Sequence, residues 1–234
     1  MTIQRSSLAL KQIALLEGLS QQRLDQLAQQ CLWQSVPADT PLLLRSEEKS
    51  DVYFLVSGQL RVTTYSANGR QITFRDLNEG EHLGEIAAID GRPRSADAVT
   101  LRPSVVASLD RLAFLELLRS EPTVAERVMQ SLTSLVRQLS ERVIDQSTMG
   151  VQNRVHAELL RLVREAGVDG NRARLDPAPT HAELASRVST NREQVTRELN
   201  ALQRAGVLEK HGKALVVLDV QRLVAMLAEV RGFP

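Results

Sequence analysis

Cysteine occurs once in this chain, at Cys31, which excludes an intrachain disulfide and any cysteine-built zinc or iron–sulfur centre within one chain. That scarcity fits a reducing, cytoplasmic setting. No stretch approaches the roughly 18 consecutive apolar residues of a membrane span, so no membrane partner is expected. The opening MTIQRSSLALKQIALLEGLSQQRLDQL mixes Glu and Asp with its apolar residues and has no clear cleavage site. It reads as an amphipathic helix, not a signal peptide. Also missing are the GxxxxGK[ST] loop, the GxSxG elbow and the HExxH helix. The histidines His82, His156, His181 and His211 form no metal-ligand spacing with carboxylates. Neither an enzyme nor a metal site is therefore expected. A dominant charge is absent too: the net is +1 over 234 residues. It is unevenly divided, with 13 Lys+Arg against 10 Asp+Glu in residues 151–234 and 16 against 18 in residues 1–150. The basic C-terminal part permits a nucleic-acid partner without demanding one.

What is present is patterned. Apolar spacing near 3.6 over residues 8–30 predicts a helix. Residues 32–115 contain the β-rich runs LWQSV, PLLLR, VYFLV, QLRVTTY, ITFRDL, ADAVT and VVASL, separated by turn residues. Many short strands at close spacing predict a small antiparallel barrel or roll. Asn68-Gly69 is the strongest hairpin signal. Residues 121–148 hold no Gly or Pro after Pro122, and Met129, Leu132, Val136, Leu139 and Val143 alternate at coiled-coil spacing. Val128 and Leu135 widen that face. Such a helix packs on its own domain and on a second copy of itself, or only inside one chain's core; periodicity does not separate the two. Gly150 breaks the pattern. A helix follows through VHAELLRLVREAG, then a polar loop VDGNRARLDPAPT. Two short helices lie around 181–188 and 192–204, then a strand pair near VLEKHGKALVVL and a last helix VQRLVAMLAEV.

Residues 84–96 read GEIAAIDGRPRSA. Gly84 lets backbone approach a ligand closely, and Ala87, Ala88 and Ala96 keep the surroundings open. A guanidinium offers a fork of donors suited to a phosphate; Ser95 adds a hydroxyl, and Glu85 can accept from a sugar hydroxyl. One acid and one base match the two ends of a cyclic nucleotide. Spacing alone does not choose between Arg92 and Arg94, nor exclude a surface ion pair beside a turn.

Residues 180–204 read THAELASRVSTNREQVTRELNALQR. Thr180 with Glu183 makes a capping box. Ala182, Leu184, Ala185 and Val188 supply one packing face, and Val195, Leu199 and Leu202 another. Ser189-Thr190-Asn191 forms the turn and second cap. Arg192, Glu193, Thr196 and Arg197 then share the outward face at a helix N-terminal end, where recognition helices read base edges. A solvated face with a Glu193–Arg197 ion pair is the plainer alternative.

GEIAAIDGRPRSA resembles the phosphate-binding cassette of cyclic-nucleotide-binding domains. Its Glu85-to-Arg94 spacing resembles that of protein-kinase regulatory subunits, which favours Arg94. VYFLVSGQLRV resembles the strand, glycine turn and strand of the same domains. The Arg-Glu-x-x-x-Arg helix and the AGVLEKHGKALVVL wing resemble the DNA-binding domain of the cyclic-AMP receptor and fumarate–nitrate regulator family, although Ser189 stands where many such turns carry glycine. The resemblance implies an α+β protein. An N-terminal double-stranded β-helix (jelly-roll-like) cyclic-nucleotide-binding domain would span 1–120, a dimerisation helix and hinge 121–149, and a winged helix-turn-helix 150–234. It implies that Glu85 holds the ribose 2′-hydroxyl, that Arg94 and Ser95 hold the phosphate, and that backbone around Gly84, Ile86, Ala87 and Ala96 completes the pocket. Leu139 and Ser140 align with a base-contacting Thr-Ser pair on the long helix. Leu139 lacks the hydroxyl, so cyclic AMP is the first expectation and cyclic GMP the runner-up. Cyclic di-GMP, another effector or ligand-free action are further options, and His82 is read as structural rather than as a haem ligand. Arg192, Glu193 and Arg197 match base-reading positions, Thr180 and Thr196 accompany them, and His181 and Lys213 match phosphate contacts. The implied partners are palindromic double-stranded DNA, a second copy of the chain, and RNA polymerase, with loop 167–178 as its candidate surface.

Overall fold

The computed structural model describes residues 6–231. The chain divides into two compact units that part between Val136 and Arg137.

The first unit opens with three short pieces where one helix over 8–30 is expected. These are α1 (Ser7–Leu10), a 3-10 turn (Ala14–Leu16) and α2 (Gln21–Gln30), with Ser6 and Ser20 as side-chain caps. Gly18 at φ +80 breaks the run. The apolar spacing is nonetheless used, since Leu10, Ile13, Leu16, Leu24 and Leu27 all pack into one core.

The β-rich region folds as two four-stranded antiparallel sheets. Their strands are β1 (Leu32–Val36), β2 (Pro41–Leu43), β3 (Val52–Ser57), β4 (Gln59–Tyr65), β5 (Gln71–Asn78), β6 (His82–Leu83), β7 (Asp97–Thr100) and β8 (Ser104–Leu109). The orders are β1-β8-β3-β6 and β2-β7-β4-β5. Tyr53 and Leu55 of β3 pack with Leu60, Leu77 and Ala98 of the other sheet. Val52 and Phe54 of the same strand face the helices instead. Burial on both faces explains why VYFL is apolar without alternation. In the Asn68-Gly69 hairpin only Gly69 takes a positive φ, +76, and Ser66 and Arg70 close the turn at 2.9 Å. Two helices not foreseen follow: α3 (Glu85–Asp90), inside the cassette, and α4 (Arg111–Ser120), capped by Asp110.

Helix α5 (Pro122–Thr148) matches its expected bounds. After it, α6 (Val151–Ala166), α7 (His181–Arg187), α8 (Arg192–Arg204) and α9 (Val220–Arg231) surround a small sheet. That sheet has a third strand. β9 (Ala173–Leu175), within the segment read as loop, pairs with β11 (Ala214–Val217), which pairs with β10 (Leu208–His211). The polarity of NRARL hid it: Ala173 and Leu175 are buried and Arg174 is exposed, an alternation too short to read.

Candidate ligand cassette and DNA-binding surface

β6 leads straight into Gly84, whose φ of +95 suits glycine. A Cβ there would stand 2.6 Å from the Asp51 carbonyl oxygen and 2.7 Å from Arg94 Nη1. Glu85 opens α3 and is 4 % exposed, as is Arg94. Arg94 donates from Nη1 to the Gly84 carbonyl at 3.2 Å and from Nη2 to the Asp51 carbonyl at 2.8 Å. Its guanidinium carbon lies 5.8 Å from the centroid of the Tyr53 ring, a cation–π distance. Burial lowers the Arg94 pKa, opposed by the phenol of Tyr53 and by Asp51, Glu47 and Glu85. Burial also raises the Tyr53 phenol. The Nε of Arg94 is buried without a hydrogen-bond partner.

Arg92, by contrast, is exposed, and its backbone N–H donates to Asp90 Oδ1 at 2.9 Å. Packing separates the two arginines: Arg94 is buried within electrostatic reach of Glu85, and Arg92 is exposed. Ala87 is buried, Ile86 and Ala96 are half-buried and Ser95 is exposed. Leu139 and Ser140 are exposed on α5 and belong to the second unit. Sequence reasoning missed Asp51 and Tyr53. Asp51 acts through its carbonyl, which leaves no side-chain signal, and Tyr53 sits in a run already accounted for as strand.

In the second unit the capping box is present: the Glu183 N–H donates to Thr180 Oγ1 at 3.2 Å, and the Thr180 N–H donates to Glu183 Oε2 at 2.7 Å. Asn191 caps α8 by accepting from the Gln194 N–H at 2.9 Å. Ser189 takes φ +53, the left-handed turn in which glycine is the usual residue. Val195, Leu199 and Leu202 are buried, whereas Arg192, Glu193 and Arg197 are exposed on the opposite side. Ala182, expected in the packing face, is exposed. Thr196 is half-buried; its hydroxyl donates to the Arg192 carbonyl at 2.8 Å and meets His181 Nδ1 at 2.6 Å. Burial lowers the His181 pKa, helped by Arg192 and Lys210. Lys213 is exposed between β10 and β11, beside Gly212 at φ +59. Among the described residues, Glu193 and Arg197 make no ion pair with each other.

Polar groups buried behind this face were not foreseen. His156 of α6 is 1 % exposed, and its Nε2 is 2.6 Å from Glu198 Oε1 on α8. Glu158, two residues on, is 1 % exposed and pairs with Arg187 of α7 at 3.3 Å and with Arg161. Arg154 donates to the Val188 carbonyl at 3.1 Å and to the Met149 carbonyl at 2.8 Å. The available signal was His156 and Glu158 inside the apolar stripe of α6. On α5, Val124 and Val128 are buried in the first unit's core, whereas Met129, Val136, Val143 and Ile144 are each more than half exposed. Of the seam, Met129, Val136 and Val143 therefore face outward, whereas Leu132 packs half-buried against the first unit's core.

The cyclic nucleotide-binding domain family matches residues 33–121, and the Crp-like helix-turn-helix domain family matches residues 153–226. The cyclic AMP receptor protein of Thermus thermophilus is 30% identical over 174 residues, covering 74% of this chain and 77% of that protein. The chain belongs to the cyclic-AMP receptor and fumarate–nitrate regulator family. A CRP-like cAMP-activated global transcriptional regulator of Mycobacterium tuberculosis is 25% identical over 192 residues, covering 80% and 86%. A solved CooA mutant from Carboxydothermus hydrogenoformans shares the fold at a TM-score of 0.77, with 18% identity over 90% of this chain and 92% of that one. Members of this family are transcription regulators, and the chain carries both of its modules, a cyclic-nucleotide-binding domain and a DNA-binding helix-turn-helix. Among the described residues, no helix is long and apolar enough to cross a membrane.

Proposed function

We propose that the protein is a homodimeric transcription regulator gated by a cyclic nucleotide, with cyclic AMP as its effector. The observation that carries this reading is the buried pair of Glu85 and Arg94 at the left-handed Gly84. Arg94 and Ser95 would take the cyclic phosphate and Glu85 the ribose hydroxyl. Arg192, Glu193 and Arg197 would read base edges of a palindrome resembling TGTGA-spacer-TCACA, with Thr180, Thr196, His181 and Lys213 flanking them. The outward apolar seam on α5 supports a dimer, and RNA polymerase is the expected further partner. The relatives described as cyclic AMP receptors or cAMP-activated regulators support the choice of nucleotide. Nucleotide binding shifts the protein toward its DNA-binding state only by its differential affinity for the two states.

Cyclic GMP is the second reading. Leu139 cannot hydrogen-bond a base edge, and the exposed Ser95 hydroxyl suits a guanine amino group. Calorimetric titration with cyclic AMP, cyclic GMP and cyclic di-GMP, followed by gel shifts on a palindromic duplex with each, tests both. Binding of cyclic AMP alone, with tighter DNA association, supports the proposal. DNA binding indifferent to every nucleotide defeats it.

A further inference from the structure

A half-open pocket of about 290 Å3 lies in the first unit, where the 3-10 turn, the turn into β6 and the N-terminal half of α5 meet. Neither Glu85 nor Arg94 lines it. Its lining is rich in donors: Arg75, His82, Arg127, Gln130 and Ser131, with Glu81 the acid among them. Arg75 is the loosely used donor among them. Arg75 Nη2 reaches the His82 carbonyl at 3.4 Å, and Nη1 stands 3.7 Å from Glu81 Oε1. Glu81 accepts from the Asn78 N–H at 2.7 Å with its other oxygen. Arg127 spends Nη1 on the carbonyls of Leu15 and Glu17. The Nε2 of His82 is buried with no partner at all.

Two guanidiniums and an imidazole thus meet one carboxylate around a space near the lower end of small-ligand pockets, roughly 300 Å3. The unpartnered His82 Nε2 has almost no accessible surface on this space, so the donors open to a ligand are chiefly the two guanidiniums. Arginine forks hold planar or tetrahedral oxyanions with two parallel bonds, and the hydroxyl of Ser131 adds a donor on α5, where the Gln130 amide donates to Glu126 Oε1 at 3.3 Å. We propose that this cavity is a second effector site, taking a small organic oxyanion: a di- or tricarboxylate or a phosphate monoester. Its wall is continuous with the cassette, because β6 runs from His82 into Gly84 and Glu85, and Phe54, the β3 partner of His82, neighbours Tyr53. Any effect of anion occupancy on cyclic-nucleotide affinity rests on the proposed function, whereas the anion binding does not.

The full-length protein is titrated with succinate, citrate, inorganic phosphate and glycerol 3-phosphate at constant ionic strength, by calorimetry and thermal shift. At least one is expected to bind with one site per chain and raise Tm; the panel separates carboxylate from phosphate chemistry. Arg75→Gln is expected to weaken binding by about tenfold or more, the loss of one charge-assisted contact. Ser131→Met fills the cavity with all charges in place and should do the same. Arg94→Gln should leave it unchanged. The idea is overturned if no anion binds at millimolar concentration, or if Arg94→Gln abolishes binding while Arg75→Gln and Ser131→Met, folded by circular dichroism, retain it. Anion binding without any cyclic-nucleotide binding would sink the proposed function and leave the cavity standing.

Discussion

At the scale of single residues, two positions couple backbone geometry to the cassette. Gly84 combines a positive φ with carbonyl and guanidinium neighbours inside 3 Å of any added Cβ. Gly84→Ala is expected to destabilise the fold by upward of about 1 kcal/mol and to weaken nucleotide binding, because Arg94 must move. Denaturant unfolding and calorimetry check both effects; an unchanged affinity refutes the second. His82 is the other. Burial lowers its pKa, joined by Arg75 and opposed by Glu85 and Glu81. A depressed folded value means the unfolded chain takes the proton first as pH falls below about 6.5. Stability is then lost progressively until the pH passes the folded value. Tm should fall between pH 7 and pH 5 more steeply for the native chain than for His82→Gln. Parallel curves would remove His82 from the account. Cys31, with its thiol pushed up to about 12 by burial and Asp110, is inert at neutral pH.

At the scale of elements, caps and seams carry the argument. Thr180→Ala removes a reciprocal cap from α7 and should destabilise the second unit by about 1 kcal/mol, read by thermal unfolding. Gly150 adjoins the hinge that the family resemblance implies. It caps α6 at φ −63 and ψ 162, a conformation open to any residue, and an added Cβ meets nothing within 4 Å. Gly150→Ser should therefore be neutral, or stabilising by a few tenths of a kcal/mol as a better cap, with the nucleotide response of DNA binding intact. Loss of that response would restore a role for glycine freedom. His156 and Glu198 pin α8 to α6 from behind, so the recognition face is positioned by a buried polar contact as well as by Val195, Leu199 and Leu202.

At the scale of the whole molecule, the outward seam on α5 and the exposed face of α8 are two halves of one expectation. A dimer reading successive major grooves needs half-site centres about 34–36 Å apart. The double change Val136→Lys and Val143→Lys places charges on residues 61% and 63% exposed, so each chain should still fold. Sedimentation should show a shift to monomer, and operator affinity should collapse. A dimer that survives both changes would move the interface elsewhere. Arg197→Ala, which spares the seam, should instead lower discrimination at one base pair by about 1–3 kcal/mol.

Much of this was legible in the chain itself, because periodicity and turn chemistry are local. The antiparallel strands, the bounds of α5, the capping box of α7, the Asn191 cap and the wing hairpin all follow from neighbouring residues. The short helix Glu85–Asp90 was not legible, since its run is too brief to show a period, and β9 was masked by its arginines. The amino-acid order determined that one glutamate and one arginine flank a small-residue loop, and that an apolar seam runs along one helix. Only the tertiary structure decided that Arg94 rather than Arg92 is buried within electrostatic reach of that glutamate, that Met129, Val136 and Val143 of the seam face outward, and that His82, Arg75 and Arg127 converge on one cavity. Burial and convergence depend on residues far apart in the chain, and no local pattern records which of them will meet.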